Sequence, residues 1–431
     1  MIHKNLKWFT LLNFLTLLMI FGNGWAFSEV NEVIAGKTLT LQECIGIALK
    51  RHPDIISRIF EVQASKSRIG QSFSRFLPSL DFSADYSRYR LENTPSQSID
   101  DYRIGFAFSQ NVFDFGRSLS RWKTSKEESR AIDFSLNTKK QDVKLNVEKA
   151  YYNYLRSLRL LDVAKESVSR AQLHLTQAKG FYEVGLRSKI DVSRVKVDLS
   201  NAKVELITSR NNVMLAKINL DNAMGLPDDI AYNIEDNLDF TKVTYEKDAL
   251  LLRAYQNRSE IHELNARTKA LNHDIRFYKR EHLPSITGTF SYNWNAESFP
   301  LDREWRAAVM VDLPIFNGLL TTYQLIEAQE NLNSLQYNKE NLRLQIKKEV
   351  EESFLSLKEA EEKISATNIA VEQAKENLQL AEERYDLGLG SVIDLTDARV
   401  LLLNAHTNYI ESLYDYKIAD AKIKRATRMF P

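Results

Sequence analysis

Apolar positions recur along two stretches of the chain at alternating spacings of three and four. The first reads Val147, Ala150, Tyr154, Ser157, Leu161, Ala164, Val168, Ala171, Leu175, Ala178, Tyr182. The second keeps the same register: Val350, Ser353, Leu357, Ala360, Ile364, Thr367, Val371, Ala374, Leu378, Ala381, Tyr385. Large residues return every seven positions with small ones between, so a neighbouring helix approaches closely at each small residue. A sustained 3.5-residue period predicts left-handed supercoiling. Glycine and proline are absent between Gly116 and Gly180, between Gly318 and Gly388, from Lys189 to Met224 and from Ser391 to Phe430. Each would destabilise a helix interior, by about 1 kcal/mol for Gly and 3 kcal/mol for Pro. Their absence predicts very long helices, the longest reaching on the order of 100 Å at about 1.5 Å per residue. No globular core requires that.

Four short segments switch to a period of two. Leu80, Phe82, Ala84 and Tyr86 alternate with Ser79, Asp81, Ser83 and Asp85, and Ile104, Phe106 and Phe108 alternate with Gly105, Ala107 and Ser109. Ile286, Phe290, Tyr292 and Trp294 alternate with Ser285, Thr287, Ser291 and Asn293; Trp305, Ala307, Val309, Val311 and Leu313 alternate with Arg306, Ala308, Met310 and Asp312. Runs of about 9–11 residues match tilted membrane-spanning strands, with one face for lipid and one for water. Tyr86, Tyr89, Trp294 and Trp305 lie near strand ends, where aromatic girdles form. Two soluble hairpins with one buried face would show the same alternation. Polar connections, 91–101 and 295–302, read as loops.

The pattern is duplicated. Phe181-Tyr-Glu-Val-Gly-Leu-Arg-Ser-Lys-Ile-Asp191 returns as Arg384-Tyr-Asp-Leu-Gly-Leu-Gly-Ser-Val-Ile-Asp394. Each copy breaks a pair of long helices, so each is the tip of a helical hairpin. The lead-ins also match: Ala48 to Ile55 parallels Ala254 to Ile261, Leu77-Pro78-Ser79 parallels Leu283-Pro284-Ser285, and Val112-Phe113-Asp114 parallels Ile315-Phe316-Asn317. Proline stops the incoming helix before each first strand, and Thr40-Leu-Gln-Glu43 reads as a capping box for the first helix. Each half therefore reads helix, strand, strand, very long helix, tip, long helix. The expected division is a first repeat over 27–225, a linker over 226–248 and a second repeat over 249–431.

Four strands cannot close a membrane barrel, and an open edge in lipid leaves unpaired backbone groups. The chain is expected to assemble, two copies giving eight strands or three giving twelve. The N-terminus supplies the compartment. Lys4 and Lys7 precede an apolar run from Phe9 to Phe21, and Gly24-Trp25-Ala26 follows. This run is shorter than the roughly 20 residues that span a bilayer, so residues 1–26 read as a cleavable secretory signal. That signal and the helix lengths favour membrane strands over soluble hairpins.

Composition excludes several classes. A formal net charge of +1 and no basic stripe argue against nucleic-acid binding. The single cysteine, Cys44, lies among Leu41, Ile45, Ile47 and Leu49 and reads as a small buried hydrophobe. The seven histidines show no ligand spacing, and His262-Glu263 lacks the second His of a zincin. There is no P-loop and no Gly-x-Ser-x-Gly. No enzyme, cofactor or metal site is expected.

In the order and identity of these motifs the chain resembles the TolC-like outer-membrane efflux proteins. Most specific are the two Gly-Leu-x-Ser-x-Ile-Asp tips, the two Leu-Pro-Ser junctions and the strand exit Leu313-Pro-Ile-Phe-Asn-Gly318. The resemblance implies a mainly α fold with a small β part: duplicated coiled-coil hairpins and four membrane strands per chain, completed as a homotrimer with one β-barrel and one helical tunnel. It implies a periplasmic adaptor docked at the tips, an inner-membrane pump behind it, and no catalysis. Val184, Gly185, Leu186 and Ser188 on the first tip, and Leu387, Gly388, Leu389 and Ser391 on the second, match the adaptor-docking segment. Asp394 and Asp397 match the acidic rings of the tunnel constriction. Asp191 and Tyr385 match a closing network whose Arg is here replaced by Gly390; Arg187 and Lys189, on the first tip, are the basic groups available to take its place. A coiled-coil scaffold of the envelope is the rival reading. It accounts for the heptads and the duplication but not for the four amphipathic strands.

Overall fold

The computed structural model describes residues 36–90, 98–226 and 230–429. The signal expected at 1–26 lies outside them. A short strand β1 (Thr38–Leu39) leads into α1 (Leu41–Arg51), α2 (Pro53–Phe73), the hairpin β2 (Ser79–Arg90) and β3 (Ser98–Phe113), then α3 (Arg117–Glu183) and α4 (Lys189–Met224). After β4 (Asn233–Ile234) the order repeats as α5 (Lys247–Asn257), α6 (Ser259–Arg280), β5 (Ser285–Ala296), β6 (Asp302–Asp312), α7 (Leu320–Asp386) and α8 (Val392–Thr427).

The period-3.5 stretches form the helices expected of them. Both α3 and α7 run for 67 residues, and both α4 and α8 for 36. Val147, Ala164, Ala171, Leu175 and Ala178 are buried along α3, as are Val350, Leu357, Ala360, Ile364 and Leu378 along α7. The single lead-in helix expected in each half is instead a pair. Pro53 at the start of α2 lacks the N–H that would continue α1, and the His52 side chain accepts from the Asp54 amide. The equivalent break in the second half falls at Arg258, which has no proline beside it and is 3% exposed. Its guanidinium is held 2.6 Å from both Glu260 and Glu349, and Arg425 of α8 joins the same carboxylates and Asp142 of α3. This ionic hub ties four helices together. The Thr40 capping box is formed, and Cys44 is fully buried.

The strands are longer than their alternation shows. β3 has 16 residues and begins at Ser98, so Ser98–Asp101 pairs with Ser87–Arg90 and does not belong to the loop. The four strands make one antiparallel sheet in the order β2-β3-β5-β6. The register collects Leu80, Phe82 and Tyr86 with Tyr102, Phe106 and Phe108, then Phe290, Tyr292 and Trp294, then Trp305, Val309 and Val311, on one face. Asp81, Ser83, Asp85, Ser109, Thr289, Ser291, Asn293, Glu304 and Arg306 share the other. Among the described residues β2 and β6 each carry one edge without a partner strand, and both are exposed along their whole length.

A second apolar stripe is left uncovered on the helices. Ile190, Val197, Val204, Ile207, Met214 and Ile218 stand exposed on α4, mostly a heptad apart, and Tyr337, Leu344, Leu355 and Ile369 stand exposed on α7. No helix among the described residues is long and apolar enough to cross a membrane. Among the described residues, most of the buried apolar side chains fall into two groups. The larger lies around Tyr151, Leu220, Leu238 and Tyr416, and the smaller around Ala178, Val195, Leu378 and Leu395 at the tip end.

Candidate gate and docking site at the helical tips

The two tips have one backbone design. Gly185 and Gly388 adopt φ values of 77° and 76°, a region that residues with a Cβ enter at a cost. In the first tip the amides of Leu186 and Arg187 donate to the Phe181 carbonyl; in the second those of Leu389 and Gly390 donate to the Arg384 carbonyl. These bonds satisfy carbonyls that the ends of α3 and α7 would leave unpaired. The next helix starts at once with a capping box, Ser188 with Asp191 and Ser391 with Asp394. The chain thus reverses in five residues. Val184, Leu186, Leu387 and Leu389 are pushed outward, at 68%, 71%, 74% and 72% exposure.

Asp191 and Asp394 are placed by this design. The Asp394 carboxylate accepts from the Ser391 amide at 3.2 Å, and the Ser391 hydroxyl accepts from the Asp394 and Ile393 amides at 3.1 Å. Asp191 closes the equivalent box with Ser188. Asp397 lies one turn further along α8 and is exposed. Within the chain the Tyr385 hydroxyl is hydrogen-bonded neither to Asp191 nor to Asp394. Tyr385 is 1% exposed and its hydroxyl has no partner among the described residues. Burial, with the Asp191 carboxylate adding to it, raises the phenol's pKa against the opposing pull of Arg187.

Tyr385 is held by the other hairpin. Phe181 packs edge-on against its ring at 6.0 Å between centroids, and the Arg187 guanidinium carbon lies 4.7 Å from the ring centre. Nη2 of Arg187 donates to the carbonyls of Gly390 at 2.8 Å and Tyr385 at 3.2 Å. One turn further up, Thr396 of α8 donates to Asp198 of α4 at 2.8 Å.

A polar cluster that the sequence reading did not single out sits behind the tips. His174 of α3 is 4% exposed, with Nε2 3.3 Å from Glu382 of α7, and burial together with Arg399 drives its pKa down to about 4. Arg399 of α8 has Nε and Nη2 buried without partners among the described residues; burial lowers its pKa to about 10 against the opposing effect of Glu382 and Asp198. The available signal was positional: His174 immediately precedes Leu175 in the heptad, on the flank of the buried stripe. Among the described residues no cluster of His, Cys, Asp and Glu has the arrangement of a metal site.

Two pairs of long helices end in matched tips, and a sheet presents one aromatic and one polar face with free edges. A family model, "Outer membrane efflux protein", matches residues 44–226 and 250–427. Outer membrane protein TolC of Escherichia coli (strain K12) is 24% identical, over 87% of this chain and 79% of TolC. The Vibrio cholerae TolC is 22% identical, over 90% of each. Among solved structures, the Campylobacter jejuni CmeC outer membrane channel superposes with a TM-score of 0.81 at 18% identity, covering 90% of this chain and 85% of that one. The open state of the Neisseria gonorrhoeae MtrE outer membrane channel gives a TM-score of 0.79 at 19% identity, covering 90% and 88%. The chain belongs to the outer membrane efflux protein family. It is an outer-membrane transport protein and, like its TolC-type relatives, not an enzyme.

Proposed function

We propose that three copies of the chain assemble into one channel, twelve strands closing a barrel in the outer membrane and the long hairpins forming a tunnel beneath it. The observation that carries this reading is the four-stranded sheet: an aromatic face, a polar face and two unpaired edges. In lipid each unpaired backbone group is costly by several kcal/mol, and pairing β6 of one copy with β2 of the next removes both edges. The uncovered heptad stripes on α4 and α7 supply the matching helical contacts. Each protomer divides into repeats over 27–225 and 249–431 joined by 226–248, with a leader removed at 26.

The tips face the periplasm and dock a periplasmic adaptor that belongs to an inner-membrane pump. Val184, Gly185, Leu186 and Ser188, with Leu387, Gly388, Leu389 and Ser391, form the docking surface, because their leucine and valine side chains are the apolar groups left most exposed at that end. Asp394 and Asp397 ring the constriction, with Asp191 and Tyr385 in the closing contacts. Cargo passes from the periplasm or the pump to the exterior.

Fractionation separates this from the scaffold reading. The channel is extracted from the outer membrane by detergent as an oligomer that loses its compact gel mobility on heating. A protein recovered in the soluble envelope fraction, with no such oligomer, would instead be a scaffold.

A further inference from the structure

The duplicated tips have diverged into complementary halves. At the position of Arg187 the second tip has Gly390, and at the position of Tyr385 the first tip has Tyr182. Tyr182 is 46% exposed, whereas Tyr385 is 1% exposed between Phe181 and the Arg187 guanidinium. Gly390 is buried, and a Cβ there would come within 3.1–3.2 Å of Tyr385 N and of Arg384 backbone and side-chain atoms. The second tip therefore offers main-chain carbonyls, of Tyr385 and Gly390, where the first offers a cation. The Tyr385 carbonyl lies in the last turn of α7, at the negative end of the helix dipole, and also accepts from the Gly388 amide at 3.1 Å, while the Gly390 carbonyl lies in the tip loop just before Ser391. An arginine fork is suited to them, since it donates and stacks at once.

We propose that Arg187 is the positioning residue that holds the second hairpin closed against the first within each protomer, and that its release from Tyr385 and Gly390 is the local event that lets the tips part. The clamp is a tip-to-tip contact made with main-chain acceptors, so no carboxylate partner is needed for it. It rests on the channel reading above. Thr396 and Asp198 lie along the same inter-hairpin seam and would part next.

The test uses the full-length oligomer in detergent and in planar bilayers. Arg187→Ala is expected to raise the open-state occupancy about tenfold, the shift that follows from losing about 1.4 kcal/mol of closing contact. Hydrogen exchange in the peptide spanning 383–391 rises with it, while the thermal midpoint of the oligomer stays at the wild-type value. Arg187→Lys keeps the charge without the fork and restores part of the closure. Arg187→Gln, which keeps a neutral donor, decides the matter if the alanine variant does not assemble, and is expected to open the channel as well. A conducting wild type whose conductance and tip exchange are unchanged in these variants overturns the clamp. Faster exchange with unchanged conductance overturns its role in closure. An oligomer that conducts neither as wild type nor with Arg187 substituted contradicts the channel reading itself.

Discussion

If the acidic residues at the second tip gate the channel as proposed, capping and gating are separable, and three substitutions tell them apart. Asp394 closes a capping box with Ser391, each supplying an acceptor to the other's amide at 3.1–3.2 Å. Removing Ser391 as Ser391→Ala loses the acceptor for two amides and is expected to destabilise the first turn of α8 by about 1 kcal/mol. Asp394→Ala loses the reciprocal acceptor and a negative charge at a helix N-terminus, together again about 1 kcal/mol. Either loss raises fraying of residues 392–395 about fivefold. Asp397 is exposed one turn on, outside the capping box, so Asp397→Asn changes charge with little effect on the helix start. Single-channel recording with added Mg2+, paired with hydrogen exchange of the tip peptide, reads both effects. The gate reading predicts weaker cation block in Asp397→Asn without faster exchange, faster exchange without weaker block in Ser391→Ala, and both in Asp394→Ala. If Asp397→Asn is silent and Asp394→Ala behaves like Ser391→Ala, the carboxylates are caps and nothing more.

Arg258→Met leaves Glu260 and Glu349 with Arg425 alone. Burial pushes the Glu260 carboxyl up, and Arg258 followed by Arg425 outweighs it, leaving its pKa below the usual value. Breaking this hub should lower stability by about 3 kcal/mol, or about 3 °C in the thermal midpoint for a chain of this size, measured by scanning calorimetry. Glu148 is 6% exposed; burial, with Asp420 adding to it, lifts its pKa from 4.5 to about 7 against Lys424 and Lys144. The folded state therefore binds this proton more tightly than the unfolded chain. Stability from this group is lost as pH rises from about 4.5 to about 7 and stays lost above it, so Glu148→Gln should stabilise by about 2–3 kcal/mol at pH 8 and by little at pH 4; an equal gain at both would refute the assignment. Gly105 lies under Asn293, whose Oδ1 would be 2.1 Å from an added Cβ, with the Tyr292 carbonyl at 3.2 Å. Gly105→Ala should displace only the amide side chain, while Gly105→Val should reduce the assembled oligomer recovered from the outer membrane.

What the chain disclosed about itself follows from which forces leave a pattern. The α3 and α7 stripes were readable because burial repeats with the helix, and Val147, Leu357 and Leu378 lie where that repeat puts them. The sheet faces were readable for the same reason. Strand length was not: Ser98 to Asp101 is polar and resembles a loop, yet backbone pairing with β2 continues through it. The break at Pro53 is written in proline chemistry, whereas the one at Arg258 has no proline and coincides with an ion pair to Glu349, distant in sequence. At the tips, Gly185 and Gly388 announced the reversals. Tyr182 and Tyr385 share a heptad position but differ in burial, because the difference comes from Arg187 reaching across to another hairpin's carbonyls, and main-chain acceptors leave no mark in a sequence. His174 and Arg399 were missed because the His174 ring and the Arg399 Nε and Nη2 atoms are buried by the fold and not by any local sequence pattern.

On the proposed reading the sheet finishes as a water-filled barrel continuous with the helical tunnel. Single-channel recording of the detergent-extracted oligomer in a planar bilayer tests it most directly. Discrete, ion-conducting steps that disappear when the oligomer is dissociated by heat before reconstitution are predicted. A folded, membrane-inserted oligomer that passes no current, even with Arg187 and Asp397 substituted, would contradict it.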